Sequence, residues 1–220
     1  MPTITAFHGK ETLKKDMIAE IRKHQKQDQI VQGTYGQENG KWRGCAVGCS
    51  IHSFNLRCGK KYETGDHSVY QKELGIPEEL AYLEDDLFEA MNVEEAKKWP
   101  LRFMKSIPLN ADLSAVFPKW MIFVMNDNRP FIEKEKLVKG VAAIDVFIPL
   151  LEKKAAGEHI TTEEWERAYQ AAEGAEEEAW AWAWAWAGAW AGDLESEYQK
   201  IIMKYADELI RLLEEAPVVR

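Results

Sequence analysis

Residues 76–91, IPEELAYLEDDLFEAM, decide the fold class. Leu80, Leu83, Leu87 and Met91 recur at intervals of three and four, which lays one apolar stripe along a helix. Pro77 suits the first helical position, where its missing N–H costs nothing. The same period extends to both sides of this stretch. Leu13, Met17, Ile21 and His24 predict a helix over 11–29. GCAVGCSIHSF, 44–54, reads as a short buried helix. Leu113, Val116, Trp120 and Val124 predict a helix over 112–126 capped by Asp112, and WMIFVM, 120–125, is apolar on all sides, as a central buried helix would be. Leu137, Val141, Ile144, Ile148 and Leu151 mark 133–153. The region 162–215 is helix-rich, with Tyr198, Ile202, Tyr205, Leu209 and Leu212 as its last stripe.

Between these segments lie breaks. Residues 30–44 hold four glycines and no helical period. Residues 55–68 are polar and Gly-punctuated, so a surface loop is expected. Asn126 to Pro130 reads as a turn cluster. Asn92 and Thr161 or Thr162 are N-caps by residue type. The expectation is an all-α fold, a single-domain bundle of about six to eight helices over 1–220.

The Trp–Ala tract, Ala179 to Gly192, is the one segment with strand-like alternation. As a strand it would place Trp180, Trp182, Trp184, Trp186 and Trp190 on one face. As a helix it puts Trp180 and Trp184 on one side, with Trp182, Trp186 and Trp190 nearly opposite. Alanine and the helical flanks favour the helix. Such a helix is either clamped inside its own domain or offers Trp180–Trp190 to a second copy or another protein, since tryptophan is enriched at interface centres. The tract is too short to span a bilayer and is flanked by acids.

The chain has 220 residues, 46% hydrophobic and 30% charged, with a net charge of −9. That composition is globular and argues against nucleic acid as the main partner, because phosphate contacts need a basic surface. No spanning run and no signal-peptide pattern occur, and three cysteines make no disulfide framework. A cytoplasmic, reduced location and no membrane partner are expected.

Cys45, Cys49 and His52 stand at i, i+4 and i+7, one face of a helix. Thiolate and imidazole are the usual zinc ligands, and a close Cys–His pair also activates a thiol nucleophile. Cys58 and His67 are further ligands within reach, so a metal set would comprise Cys45, Cys49, His52 and His67, with zinc as the cofactor. Alternatively, Gly44, Cys45, Ala46, Gly48 and Cys49 are simply small residues that permit close packing. Glu84 falls inside the apolar stripe of its helix, while Asp85, Asp86 and Glu89 point away. His24 and Asp28 lie along or beside the stripe of the first helix. His24, Asp28, Cys45, Cys49, His52 and Glu84 are therefore either scattered buried hydrogen-bonding groups or one pocket with acid, base and nucleophile candidates. GTYGQENG lacks the Lys-Ser/Thr of a P-loop, and neither GxSxG nor HExxH is present.

Gln32-Gly33-Thr34, the run Gly44 to Ser53, Asp66-His67-Ser68 with Tyr70, Leu74 to Pro77 and Leu83-Glu84-Asp85 resemble an uncharacterised family of bacterial and prophage-encoded proteins. Trp99-Pro100, Ile107-Pro108 and Ala111-Asp112-Leu113 also fit. The resemblance implies an Ala-rich, aromatic-spotted helix near the C-terminus and no particular activity. Two functions are expected in competition. One is a helical interaction or structural protein using the Trp–Ala helix. The other is a metal- or thiol-dependent enzyme using the Cys45/Cys49/His52 face with Glu84. Glu84 separates them, since an interaction module has no need of an acid on a core stripe.

Overall fold

The computed structural model describes residues 4–38, 42–187 and 194–219, with backbone only at 37, 38, 174, 176–187, 194 and 195. The chain is 71% helical, which establishes the all-α class. Its packing falls into two compact units, 1–113 with 201–220, and 114–200.

In the first unit, α1 (Glu11–Lys26) is followed by a two-residue hairpin, β1 (Gln37–Glu38) and β2 (Trp42–Arg43). Then come α2 (Ala46–Cys58), α3 (Glu78–Ala90), α4 (Val93–Ala96) and α5 (Trp99–Ser106). The end of α9 (Leu194–Glu214) completes it. Helix α1 packs on α2 and α5, and α2 packs on α3. Met17 and Ile21 of the first stripe are buried, as are Leu80, Leu83, Leu87 and Met91 of the second. Asn92 caps α4, its side chain accepting from Glu95 N–H at 3.0 Å. The stretch expected as a surface loop is partly structured. Helix α2 runs on into it as far as Cys58, and just beyond it a π-helical turn, Tyr70–Leu74, buries Tyr70 and Leu74.

In the second unit, α6 (Val116–Lys134) packs on α7 (Val138–Ala155), which packs on α8 (Thr162–Ala187). Two expectations are corrected here. Helix α6 begins at Val116 and runs through Asn126 to Pro130, where a turn was expected. Its polar residues make helix-compatible bonds: Asn128 donates to the Val124 carbonyl at 2.8 Å, and Arg129 reaches Asp145 of α7 at 2.6 Å. Residues 121–125 are half-buried and not enclosed on all sides. Thr161 and Glu164 form a capping box at the start of α8, each side chain accepting from the other's N–H. Helix α8 continues to Ala187, so Trp180, Trp182, Trp184 and Trp186 lie on a helix. Their side chains, and Trp190 altogether, fall outside the described residues. Among the described residues no helix is long and apolar enough to cross a membrane.

Asn110 joins both ends of the first unit. Its backbone is left-handed (φ 60). Its N–H donates to Ala6 O, its carbonyl accepts from Val219 N–H, and its amide also donates to the Val219 carbonyl. Thr5 donates to its Oδ1 at 2.7 Å. Asn110→Ala removes these side-chain bonds and adds left-handed strain, and should cost about 1–3 kcal/mol in urea denaturation. Asn110→Gly should recover only the backbone share.

Candidate metal centre

Cys45 is the N-cap of α2, with extended backbone and Sγ accepting from Gly48 N–H at 3.3 Å. Its own N–H donates to Thr34 O at 2.7 Å. This strand-like segment presses hard on the helix start. A Cβ at Gly48 would stand 2.0 Å from the Tyr35 carbonyl oxygen, and one at Gly44 would stand 2.9 Å from it. Gly48 therefore admits backbone, and Gly44 the Trp42 ring together with that backbone, where a neighbouring helix was the expected guest.

The same segment holds α3. Gln32 Nε2 donates to the carbonyls of Phe88 and Met91, both at 2.8 Å, satisfying acceptors that a helix end leaves free. Gly33 N–H donates to both oxygens of Glu89, at 3.0 and 2.9 Å. Residues 32–34 thus link the N-terminus of α2 to the last turns of α3. As a result Cys45 Sγ, a carboxylate oxygen of Asp85 and one of Glu89 lie within 4.8 Å of one another.

His67 braces this group. Its Nδ1 donates to Gly65 O at 3.0 Å, and its Nε2 meets Asp85 Oδ2 at 3.3 Å. Tyr82 stacks on the His67 ring at 4.0 Å, and Tyr35 meets it edge-on at 5.7 Å. Asp85 Oδ1 is buried and makes no contact of full hydrogen-bond geometry, although Tyr35 and Cys45 lie close enough for their side chains to interact with this carboxylate.

Behind this group Glu84 is wholly buried beside Ser50 and Tyr70. Tyr70 and Glu84 are close enough to shift each other, yet no contact reaches hydrogen-bond geometry, and Ser50 Oγ, Tyr70 Oη and both Glu84 oxygens lack partners. Burial pushes the Glu84 carboxyl well above its ordinary range. Burial and then Asp85 push the Cys45 thiol up, and burial pushes up Cys49. Burial raises Glu89, with Asp85 adding to it. Partial burial of its hydroxyl, then the Asp85 charge, takes Tyr35 up to about 12. Each of these shifts favours the proton-bearing form.

The six residues singled out from sequence fall into smaller groups: the rings of His24 and His52 lie 6.0 Å apart, Cys49 lies close enough to Cys45 and Glu84 to interact with both electrostatically, and Asp28 stands apart. Cys49 is buried, its Sγ donating to Gly44 O at 3.4 Å. His24 ties α1 to α2: Nδ1 donates to Gln29 Oε1, and Ser53 donates to Nε2, both at 2.7 Å. Burial lowers its pKa, which suits a neutral structural imidazole. His52 is half-buried and stacks on Trp42 at 4.1 Å. Asp28 is corrected from a core-facing position to an exposed one: its backbone turns left-handed (φ 52) after α1, and it pairs with Lys97 at 3.3 Å. The structure thus brings Cys45 together with Asp85 and Glu89, and His67 enters through Asp85. Cys58 is exposed at the end of α2. Asp85, expected to point away from the core, is 7% exposed because residues 32–35 and His67 cover that side of α3. The signal for it was the i, i+4 spacing of Asp85 and Glu89, which puts two carboxylates on one helix face.

No family model matches the chain, and neither a curated protein nor a solved structure matches it.

Two outcomes follow from this packing. Gly48→Ala should lose about 1–3 kcal/mol through overpacking against the Tyr35 carbonyl, read as a lower melting temperature. Glu84 has a folded pKa above its unfolded value of about 4.5. Its contribution to stability is therefore full below that value and is lost as pH rises towards the folded pKa. Glu84→Gln should flatten this fall in the metal-free protein, measured by denaturation at several pH values between 4 and 8. An unchanged slope would place Glu84 in contact with solvent.

Proposed function

We propose that this protein is a metal-dependent enzyme in which Cys45, Asp85 and Glu89 hold one divalent cation of the zinc type. The observation that carries the reading is the convergence of one thiol and two carboxylates within 4.8 Å, two of the three on buried residues. A donor set of one sulfur and two oxygens suits a borderline-soft cation. Tetrahedral ligands at zinc distances sit roughly 3.4–3.8 Å apart. The donor atoms lie within 4.8 Å of one another, so a bound cation would draw them closer together.

Charge supports the same reading. Three anionic ligands around a divalent cation would leave one negative charge, with the His67 imidazole standing against one of them, Asp85, at 3.3 Å. A ligand carboxylate held by a second hydrogen-bonding group is the usual outer shell of a metal. A cation would also reverse the upward shifts of Cys45 and Glu89. Three protein ligands leave a fourth position for water or a substrate oxygen, the arrangement of catalytic rather than structural zinc. The chemistry such a position supports is polarisation of a carbonyl or activation of bound water.

Titration of the purified, chelator-treated protein with Co²⁺ tests this. One equivalent should give a thiolate-to-cobalt charge-transfer absorption that Zn²⁺ abolishes by displacement. Cys45→Ser should lose the absorption, while Cys49→Ser and Cys58→Ser keep it. Asp85→Asn should weaken binding by about tenfold or more, the scale of losing one charged ligand interaction. No absorption in the wild type, or its survival in Cys45→Ser, would overturn the assignment.

A further inference from the structure

Helices α5 and α9, with the end of α1, line an open groove of about 560 Å³ within the first unit. That volume lies in the range of small-molecule sites, roughly 300–1,000 Å³. No residue of the Cys45 donor set lines it, so it stands independently of the metal reading. Leu101 and Ile210 give it apolar surface, and Lys98, Arg102, Lys105 and Glu214 give it charge. The three cations stand at i, i+4 and i+7, which puts them on one face of α5.

Ion pairs neutralise most of this charge. Lys98 is paired with Glu95 at 2.8 Å, and Arg102 with Asp207 of α9 at 2.6 Å. Further along α9, Arg211 holds Glu208 at 2.6 Å and Glu215 at 2.5 Å. Lys105 and Glu214 are exposed, and among the described residues neither side chain has a partner. Glu214 is the last residue of α9, where the helix dipole disfavours a carboxylate and favours a cation. Beside the backbone of Lys105 lies a second ammonium: Lys14 Nζ donates to the Ile107 carbonyl at 2.5 Å and to the Lys105 carbonyl at 3.5 Å. Helix α9 therefore brings to the groove a carboxylate that lacks a cation, and α5 brings an ammonium that lacks an anion.

We propose that this groove binds a small zwitterion with an aliphatic side chain, a free amino acid or a short peptide, whose carboxylate meets Lys105 and whose ammonium meets Glu214. Charge selects the zwitterion over a simple anion. The two unpaired groups sum to zero, and a phosphate or dicarboxylate would set like charge against Glu214. Leu101 and Ile210 supply the apolar surface on which an aliphatic side chain leaves water.

Titration of chelator-treated protein, followed by backbone amide shifts in NMR spectra, tests this without any contribution from metal. The probes are L-leucine and the dipeptide leucylglycine, with isocaproate, which is leucine without its ammonium, and isoamylamine, which is leucine without its carboxylate. Both zwitterions should shift amides of α5 and α9 and bind more tightly than either fragment, and the tighter of the two distinguishes an amino acid from a peptide. Lys105→Gln should weaken the zwitterions and isocaproate roughly tenfold, the worth of one charge-assisted hydrogen bond, and leave isoamylamine unchanged. Glu214→Gln should weaken the zwitterions and isoamylamine and leave isocaproate unchanged. Both side chains are exposed, so neither variant should change the melting temperature. No shift with either zwitterion at millimolar concentration, or shifts confined to other helices, would overturn the site. Isocaproate binding more tightly than leucine, or both variants affecting all four probes alike, would overturn the zwitterion and the roles of Lys105 and Glu214. Each of these failures leaves the cobalt result, and the metal reading with it, untouched.

Discussion

The contact between the Tyr35 carbonyl and the backbone at Gly48 sets the geometry of everything around it. A side chain at either Gly44 or Gly48 would lift residues 32–35 away from the start of α2. With them would go the Thr34–Cys45 bond, the Gly33 hold on Glu89 and the Gln32 cap of α3. One close backbone approach therefore decides whether a thiol on one helix and two carboxylates on another share a site. Its energy is unremarkable, a few van der Waals contacts and hydrogen bonds, but its geometric reach is long.

Packing alone would not select the chemistry found there. Four buried side-chain oxygens on Ser50, Tyr70 and Glu84, with a fifth on Asp85, have no partners, whereas buried polar groups in folded proteins nearly always have one. His24 is the contrast within the same unit. Its imidazole is equally buried and fully satisfied by Gln29 and Ser53, and it carries no functional reading. The unpaired groups instead gather where α2, the π-helical turn and α3 meet. Tyr70 is close enough to Ser50 and Glu84 for their side chains to interact, so this is a loosely matched polar cluster and not a set of isolated groups.

The helices were legible because burial imposes a period on the sequence. The stripe Leu80, Leu83, Leu87 and Met91 and the cap Asn92 appear in the structure where the residues put them. Helix α6 was less legible, since residues that usually begin turns here bond back along the helix through Asn128 and across to α7 through Arg129. The site was half legible. Cys45 and Glu84 stood out as a thiol and an acid on interior faces. Asp85 did not, because one helix's apolar stripe says nothing of a second covering supplied by a loop. Residues 32–35 have no period of their own, and their course depends on contacts made only after α2 and α3 have come together. Asp28 failed in the opposite sense, because a helical wheel assumes helix to its last residue and α1 turns left-handed at that point.

Cys45 invites a second mechanism, nucleophilic attack by its sulfur, and its position at a helix N-terminus would ordinarily favour the thiolate. The surroundings decide against it. Burial raises the thiol pKa first and the Asp85 carboxylate raises it further, more than the Gly48 N–H lowers it. His67, the base such a mechanism would use, has both ring nitrogens engaged, one with Gly65 and one with Asp85. A thiol flanked by carboxylates is a poor nucleophile. The same thiol would become a strong ligand if a cation displaced its proton, because the charge that opposes ionisation would then have something to attract it. In the proposed reading, the acids that weaken Cys45 as an attacking group are the acids that would complete it as a metal ligand.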